Sequence, residues 1–297
     1  MEASILIVSK NRKEELSKTL QILEEYIDPH KHEIRVFLDG CSDDSETLKN
    51  IYSEVHWMVS KDSLGASKAR NILYRTAMGE LLFGFDDDAH PLQHDFIEIS
   101  RKLFRNNSLT GILAFKEIKG MFAGDEEIPE ELLMIQPDIP VNDFIGCGFV
   151  VKKQVYDETR GFPVWIDIYG EEVCVALEVL DKGYDILFTH KIQVNHRVNR
   201  EQRKIAGANY FRFGKQLKNT AYFYMVYYPF PLLLKKIIRL YFLNFKEYAL
   251  KDREFFQQFW KAFFITAFST GKVLKERQPV KRETLETFNN LSKPMYH

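Results

Sequence analysis

Four short, unbroken apolar runs, SILIV (4 to 8), IRVFL (34 to 38), VHWMV (55 to 59) and LLFGF (81 to 85), constrain this chain more than any other feature. Runs of that length without alternation suit strands covered on both faces. Between them the period changes to that of a helix, with Leu16, Leu20, Leu23 and Ile27 in the first interval, a polar helix near 43 to 53, and a helix from Ala66 to Met78 closed by Gly79. Four alternations of this kind predict an α/β fold with a parallel, doubly wound, Rossmann-like sheet. Such sheets bind ligands beyond the carboxyl ends of their strands, where the strand order reverses. Ser9 to Arg12, Asp39 and Asp86 to Asp88 all follow strands directly, so they are expected to converge on one crevice.

At 297 residues, 45% hydrophobic and 28% charged, the chain is long enough for one large α/β domain with an appendage, or for two domains. The segment from 117 to 145, with its acids and prolines, reads as a mobile substrate loop. CGFVVKK then reads as a strand, and Glu171 opens a helix with inner face Val173, Ala176, Leu177 and Leu180, ending at Gly183. The net charge of −1 conceals a division: residues 1 to 199 carry 22 Lys and Arg against 35 Asp and Glu, whereas residues 200 to 297 carry 19 against 7. The first part is read as the catalytic and ligand-binding domain, the second as a helical, basic and aromatic extension. No basic and aromatic stripe for nucleic acid is present in the acidic part. In the extension, the uncharged run from about 219 to 234 is too short to span a bilayer and is broken by Pro229 and Pro231. It suits a helix lying in the headgroup layer or, equally, a packed helical subdomain. Cys41, Cys147 and Cys174 lack paired or ligand-like spacing, which fits a reducing compartment. The opening MEASILIVSKNR reads as a strand rather than a signal, so the expected location is cytoplasmic, peripheral on the inner face of the cell membrane.

The segment LLFGFDDDAHPL drives a buried strand into three carboxylates. Like charges about 4 Å apart repel by a few kcal/mol at intermediate dielectric, so a cation is expected among them. Side chains alternate in extended backbone, which lets Asp86 and Asp88 share a ligand while Asp87 points away. Carboxylate oxygens suit Mg²⁺ or Mn²⁺, ions that complete their shell with a substrate's phosphates. Further on, the adjacent Glu171 and Glu172 in IYGEEVCVALEVLDKGY offer a general base for an incoming hydroxyl. His90 and His94 read as residues on the rim of the acidic triplet.

These motifs, in this order, resemble the family 2 glycosyltransferases and their GT-A fold. ILIVSKNR is similar to that family's opening strand and turn, FLDGCSDDS to its Asp-Asp-Gly-Ser-x-Asp segment with Leu38 in place of the first Asp, and LGASKARN with MGELLFGFDDDAHP to the stretch leading into the Asp-x-Asp motif. CGFVVKKQVYDETRGFPVWIDIYGEE resembles the acceptor-side segment, and the likeness covers about residues 4 to 199.

The resemblance implies an inverting, metal-dependent enzyme that moves a sugar from a nucleotide-diphosphate sugar to a hydroxyl of a glycan or lipid-linked acceptor. Bacterial surface polysaccharide synthesis is the implied setting. Asp39 would hydrogen-bond the nucleobase beside the turn of Ser9, Asn11 and Arg12; Arg70 would lie near the diphosphate; Asp86 and Asp87 would contact the donor; and Asp86, Asp88 and His196 would hold Mn²⁺ or Mg²⁺. The base would be Glu172, standing where the family usually has Asp, with Glu171 as the alternative, and Cys174 would simply pack. A sugar-1-phosphate nucleotidyltransferase is disfavoured because VSKNRKEEL lacks the glycines of a phosphate loop. The Glu-Glu departure also admits a non-catalytic scaffold that binds nucleotide sugar at a membrane.

Overall fold

A computed structural model describes residues 1 to 198 and 208 to 294. The expected boundary between 199 and 200 lies outside the described residues. In chain order the first part contains β1 (Ala3–Ser9), α1 (Lys13–Tyr26), β2 (His32–Asp39), β3 (His56–Ser60), α2 (Ala66–Thr76), β4 (Leu81–Asp86), β5 (Ala89–Pro91), α3 (Phe96–Asn106), β6 (Thr110–Lys119), α4 (Glu130–Leu133), β7 (Ile139–Val141), β8 (Gly148–Lys152), α5 (Lys153–Asp157), α6 (Glu171–Asp181) and β9 (Asp185–His196). The extension adds α7 (Ala208–Tyr227), α8 (Leu232–Asn244), α9 (Arg253–Val273) and α10 (Arg282–Asn290).

The strands form one sheet in the order β3-β2-β1-β4-β8-β6-β9-β5, with β7 on β9. The first four are parallel as expected, but β8 runs antiparallel to both β4 and β6, so the sheet is mixed. Register carries the site. Ser9 pairs with Leu38, Val8 with Asp86 and Asp39 with Ser60, which puts Ser9, Asp39 and Asp86 on one edge where strand order reverses at β1. On the other side of the sheet, β9 pairs its His196 with Ala89 of β5 and Lys119 of β6, which brings that imidazole next to Asp88.

Alternation along each strand divides the core between two faces. Ile5, Ile7, Phe83 and Phe85 pack with Leu16, Leu20 and Phe96 of α1 and α3. Leu6 and Leu82 pack on the other side with Leu73 of α2 and Val175 and Val179 of α6. Full burial of such side chains contributes about 1.5 to 3 kcal/mol each, which makes the sheet a rigid platform. Gly84, within the apolar run of β4, leaves room for a ring and a phenol: a Cβ there would lie 2.2 Å from both Phe149 Cε1 and Tyr74 Oη. Gly84→Ala is therefore expected to cost about 1 to 3 kcal/mol through overpacking. Chemical denaturation should show a lower midpoint with unchanged slope.

Several local expectations differ from the structure. The helix expected to reach Met78 stops at Thr76, because Glu33 Oε1 accepts from Met78 N at 2.7 Å and Ser4 Oγ accepts from Gly79 N at 2.8 Å. Those two side chains draw the backbone amides towards β1 and β2. The polar helix near 43 to 53 is a 3₁₀ segment, Asp44–Asn50, started by Asp43. The stretch from 117 to 145 is less irregular than its composition suggests: it includes the end of β6, a 3₁₀ turn (Asp125–Glu127), α4 and β7. Helix α6 is buried nearly all round, Cys174, Val175, Glu178 and Val179 included, because α7 covers the side turned away from the sheet, while Val173 is half-buried.

The aromatic run near 219 to 234 supplies that cover. Tyr222, Phe223, Met225, Val226, Tyr227 and Tyr228 are buried with Ile166 and Leu177 in a cluster shared with α6, so most of the run is core and not a headgroup-layer face. Asp167 binds Lys215 and Lys218 of α7, and Tyr227 donates to Glu178 at 2.6 Å. The end of the chain also returns to the sheet domain, where Asn142 N donates to Ser292 O at 3.0 Å. Among the described residues no helix is long and apolar enough to cross a membrane, and the three cysteines are free.

Candidate active site

Four side chains hold the acidic triplet, and one of them, Arg12, is shared by two of its members. Asp87 is buried, accepts from Ser9 Oγ at 2.7 Å and pairs with Arg12 Nη1 at 3.2 Å. Burial pushes its carboxyl up to about 7, with Arg12 pulling the other way. Asp88 pairs with Arg12 Nη2 at 2.7 Å and lies 3.2 Å from His196 Nε2. Burial alone would raise the Asp88 carboxyl, but His196 and Arg12 together hold it far below the usual carboxylate range. Asp86, the most open of the three, pairs with Arg70 Nη2 at 2.7 Å. The expected strand alternation stops at Asp86, because residues 87 and 88 form a turn between β4 and β5; Arg12 bridges Asp87 and Asp88 there, and the turn still brings Asp88 beside Asp86 and His196.

His196 completes a cluster. Asp86, Asp88 and His196 each offer a ligand atom, all within 4.8 Å of one another. The other ring nitrogen, Nδ1, meets Glu117 Oε1 of β6, an outer carboxylate that fixes the orientation of the imidazole. Burial disfavours charge on this ring, yet Asp88, Cys147 and Glu117 raise its proton affinity strongly. Two carboxylates and an imidazole form a donor set that fits Mn²⁺ or Mg²⁺.

Arg70 links this cluster to the acidic pair at the start of α6. Its Nη1 lies 3.1 Å from Glu171 Oε1 and 2.9 Å from Glu172 Oε1, while its Nη2 holds Asp86. Burial opposes the charge on the guanidinium, and the three carboxylates more than restore it. The pair itself is asymmetric. The side chain of Glu171 is 3% exposed and that of Glu172 19%. Burial and then the charge of Glu172 push Glu171 up, to about 8. The backbone positions both acids, since Tyr169 and Gly170 take φ of 71° and 93° immediately before the helix, a turn that Gly makes at little cost. Gly146 lets the two sides meet: a Cβ there would lie 2.5 Å from Arg70 Nη2 and 2.6 Å from Glu172 Oε1.

At the opposite end, Asp39 is 3% exposed. It accepts from Leu64 N at 2.6 Å, Ser63 Oγ at 2.8 Å and Gly65 N at 3.1 Å. Of a carboxylate's roughly four acceptor sites, three therefore shape the loop that enters α2. Asn11, at φ 55°, ties the turn after β1 to Ser42 N at 2.7 Å.

Residues 4–160 match the family model described as Glycosyl transferase family 2. The chain belongs to that family. It is a glycosyltransferase of the nucleotide-sugar-using class, with the fold expected from its motifs. It is 28% identical over 179 residues to an uncharacterised protein of Haemophilus influenzae, a match covering 54% of this chain and 92% of that one. In fold it is similar to S. aureus TarS 1–349 in complex with UDP-GlcNAc, with TM-score 0.60, 14% identity and coverage of 93% of this chain and 84% of that one. It is likewise similar to the mannosyltransferase PcManGT of Pyrobaculum calidifontis in complex with GDP-Man and Mn²⁺, with TM-score 0.58, 15% identity and coverage of 97% and 83%.

In this glycosyltransferase the structure gathers Ser9, Arg12, Asp86, Asp87, Asp88 and His196 on one side, joined through Arg70 to Glu171 and Glu172. Asn11 and Asp39 flank the same strand ends. His94 packs against Tyr26 with the rings tilted by 33° and their centroids 3.9 Å apart. His90 is buried, between Asp125 and Arg197, and so is not a rim residue. Sequence reading missed two acids. Glu117 is buried in a strand, and the charged pair Lys116 and Glu117 inside the apolar run ILAFKEIK was the available signal. Asp143, with its carboxyl pushed up to about 7 by burial and then by Glu172, gave none.

Proposed function

We propose that this glycosyltransferase is a metal-dependent, inverting enzyme that transfers a sugar from a nucleotide-diphosphate sugar to a hydroxyl of a glycan or lipid-linked acceptor, in bacterial surface polysaccharide synthesis. The observation that supports this most is the convergence of Asp86, Asp88 and His196 within reach of one ion, with Arg70 linking that cluster to Glu172. The bound GDP-Man and Mn²⁺ of the mannosyltransferase PcManGT agree with it.

In this reading Ser9, Asn11, Arg12 and Asp39 receive the nucleoside end, with Asp87 keeping Ser9 and Arg12 in place. Asp86, Asp88 and His196 would hold Mn²⁺ or Mg²⁺, which when bound supplies Lewis-acid stabilisation of the departing diphosphate. Glu172, the more open acid of the pair, accepts the proton of the acceptor hydroxyl as its oxygen bonds to the anomeric carbon. Glu171, pushed up by burial and by its neighbour, stays protonated and hydrogen-bonded. Arg70 acts as a tie between the two acidic groups and keeps the base aimed at the donor.

A thermal-shift screen of nucleoside diphosphates and nucleotide sugars, with and without Mn²⁺, tests the donor and the metal together. At a ligand concentration about a hundred times its dissociation constant, the protein should gain about 2.7 kcal/mol. That is a rise of several degrees in Tm, present with Mn²⁺, lost with chelator and absent in Asp88→Ala. A shift that survives Asp88→Ala removes the metal role, and no shift with any nucleotide removes the donor role.

A further inference from the structure

The extension carries an apolar surface that nothing covers among the described residues. On α8, Leu234, Ile238 and Phe242 recur every four residues and are 55%, 70% and 65% exposed. On α9, Trp260, Phe264 and Phe268 follow the same spacing at 36%, 51% and 88%. The two stripes are one surface, because Tyr241 of α8 meets Phe263 of α9 with ring centroids 5.4 Å apart, and Phe245 meets Trp260 at 6.4 Å. Aromatic exposure on this scale exceeds the scattered apolar residues of an ordinary surface and calls for a partner.

Charge identifies that partner. From 234 to 275 the chain has nine Lys and Arg against three acids, Glu247, Asp252 and Glu254. Two of those acids are already engaged: Glu247 pairs with Lys251 at 2.9 Å, and Asp252 accepts the amides of Glu254 and Phe255 at the start of α9. Lys235 and Arg239 flank the stripe on α8, Lys261 flanks that on α9, and all three are exposed. A second copy of the chain is a poor match, since a two-fold contact would set these cations against their own kind. Aromatic side chains with a basic border fit the headgroup layer of an anionic bilayer, and the absence of a helix able to cross a membrane among the described residues leaves a surface-lying mode.

We propose that α8 and α9 form a docking face for an anionic lipid bilayer, with Phe242, Phe264 and Phe268 entering the acyl boundary and Lys235, Arg239 and Lys261 on the headgroups. This goes beyond the donor-site reading and does not depend on it.

Flotation of the full chain with vesicles tests the idea. Binding is expected to vesicles containing phosphatidylglycerol, at least ~10-fold weaker to phosphatidylcholine alone, and reduced by high salt. Phe264→Ser with Phe268→Ser should weaken it by roughly 100-fold, while a cooperative thermal transition like that of the wild type shows that the variant is folded. Brominated lipid should quench the fluorescence of the wild type, and Trp260→Phe should remove that quenching. Equal binding by wild type and double variant, or binding without quenching, overturns the proposal. So does a wild-type dimer in sedimentation that the double variant dissolves, since the face would then belong to a second copy.

Discussion

Glu172→Gln is expected to lower the rate of sugar transfer by about 10²- to 10⁴-fold, the usual contribution of a positioned base, with nucleotide-sugar binding unchanged. Glu171→Gln, one residue away, should stay within roughly threefold of wild type on the same scale. The difference rests on environment. Glu171 has a side chain that is 3% exposed, with a carboxyl pushed up by burial and by the adjacent charge, so at neutral pH it already resembles a neutral amide. Gln there keeps an oxygen for Arg70 Nη1. Glu172 has more access to the crevice, and as Gln it could still accept from Arg70 but could no longer take a proton. Release of nucleoside diphosphate measures the rate, and a thermal shift with nucleotide and Mn²⁺ confirms that each variant still binds. If Glu171→Gln is the inactive variant, the base belongs to Glu171 and the neighbour's role is to raise its proton affinity.

Much of this site was legible because strand ends are legible. A continuous apolar run that stops at a polar residue fixes both the strand and the edge where the side chain emerges, which is why Ser9, Asp39 and Asp86 could be placed together before any register was known. The resemblance to the family also singled out His196, 24 residues beyond Glu172 and at the end of a strand-like run. What the sequence did not disclose is pairing across long separations. Arg70 reaches Glu171 and Glu172 about a hundred residues further on, and no local pattern marks that reach. Glu117 was hidden because a buried carboxylate is indistinguishable in sequence from a solvated one until its partner, His196, is seen beside it. The extension illustrates a different ambiguity. Its aromatic residues serve both the cluster against α6 and the uncovered face of α8 and α9, and composition is the same for both uses. Burial separates them: the run near 219 to 234 mostly packs, and the residues further along face outwards.

Arg70→Met is expected to destabilise the protein by about 3 to 5 kcal/mol, roughly 10 °C in Tm, because it leaves charged groups without their counter-ion. Arg70 is 9% exposed and its guanidinium is shared by Asp86, Glu171 and Glu172, so solvent cannot readily replace it. The deficit should depend on pH in a definite direction. Burial and the charge of Glu172 push Glu171 up to about 8 against the pull of the guanidinium, well above an unfolded value near 4, and removing Arg70 raises its proton affinity further. An acid whose affinity is raised by folding favours the folded state at low pH and disfavours it once ionisation is forced. The part of the deficit that belongs to Glu171 should therefore open as the pH is raised through about 8, where the wild type can ionise this acid beside the guanidinium and the variant must keep it protonated. Adding Glu171→Gln to Arg70→Met should recover part of the loss at pH 8, because a neutral amide at 171 no longer has to take up a proton on folding. Arg70→Lys should fall in between, since a single ammonium keeps the charge but cannot span two acidic groups in one plane. A variant Arg70→Met that melts with the wild type at pH 8 would show that the acids are held apart by something other than this guanidinium, and the tie between donor side and base would have to be placed elsewhere.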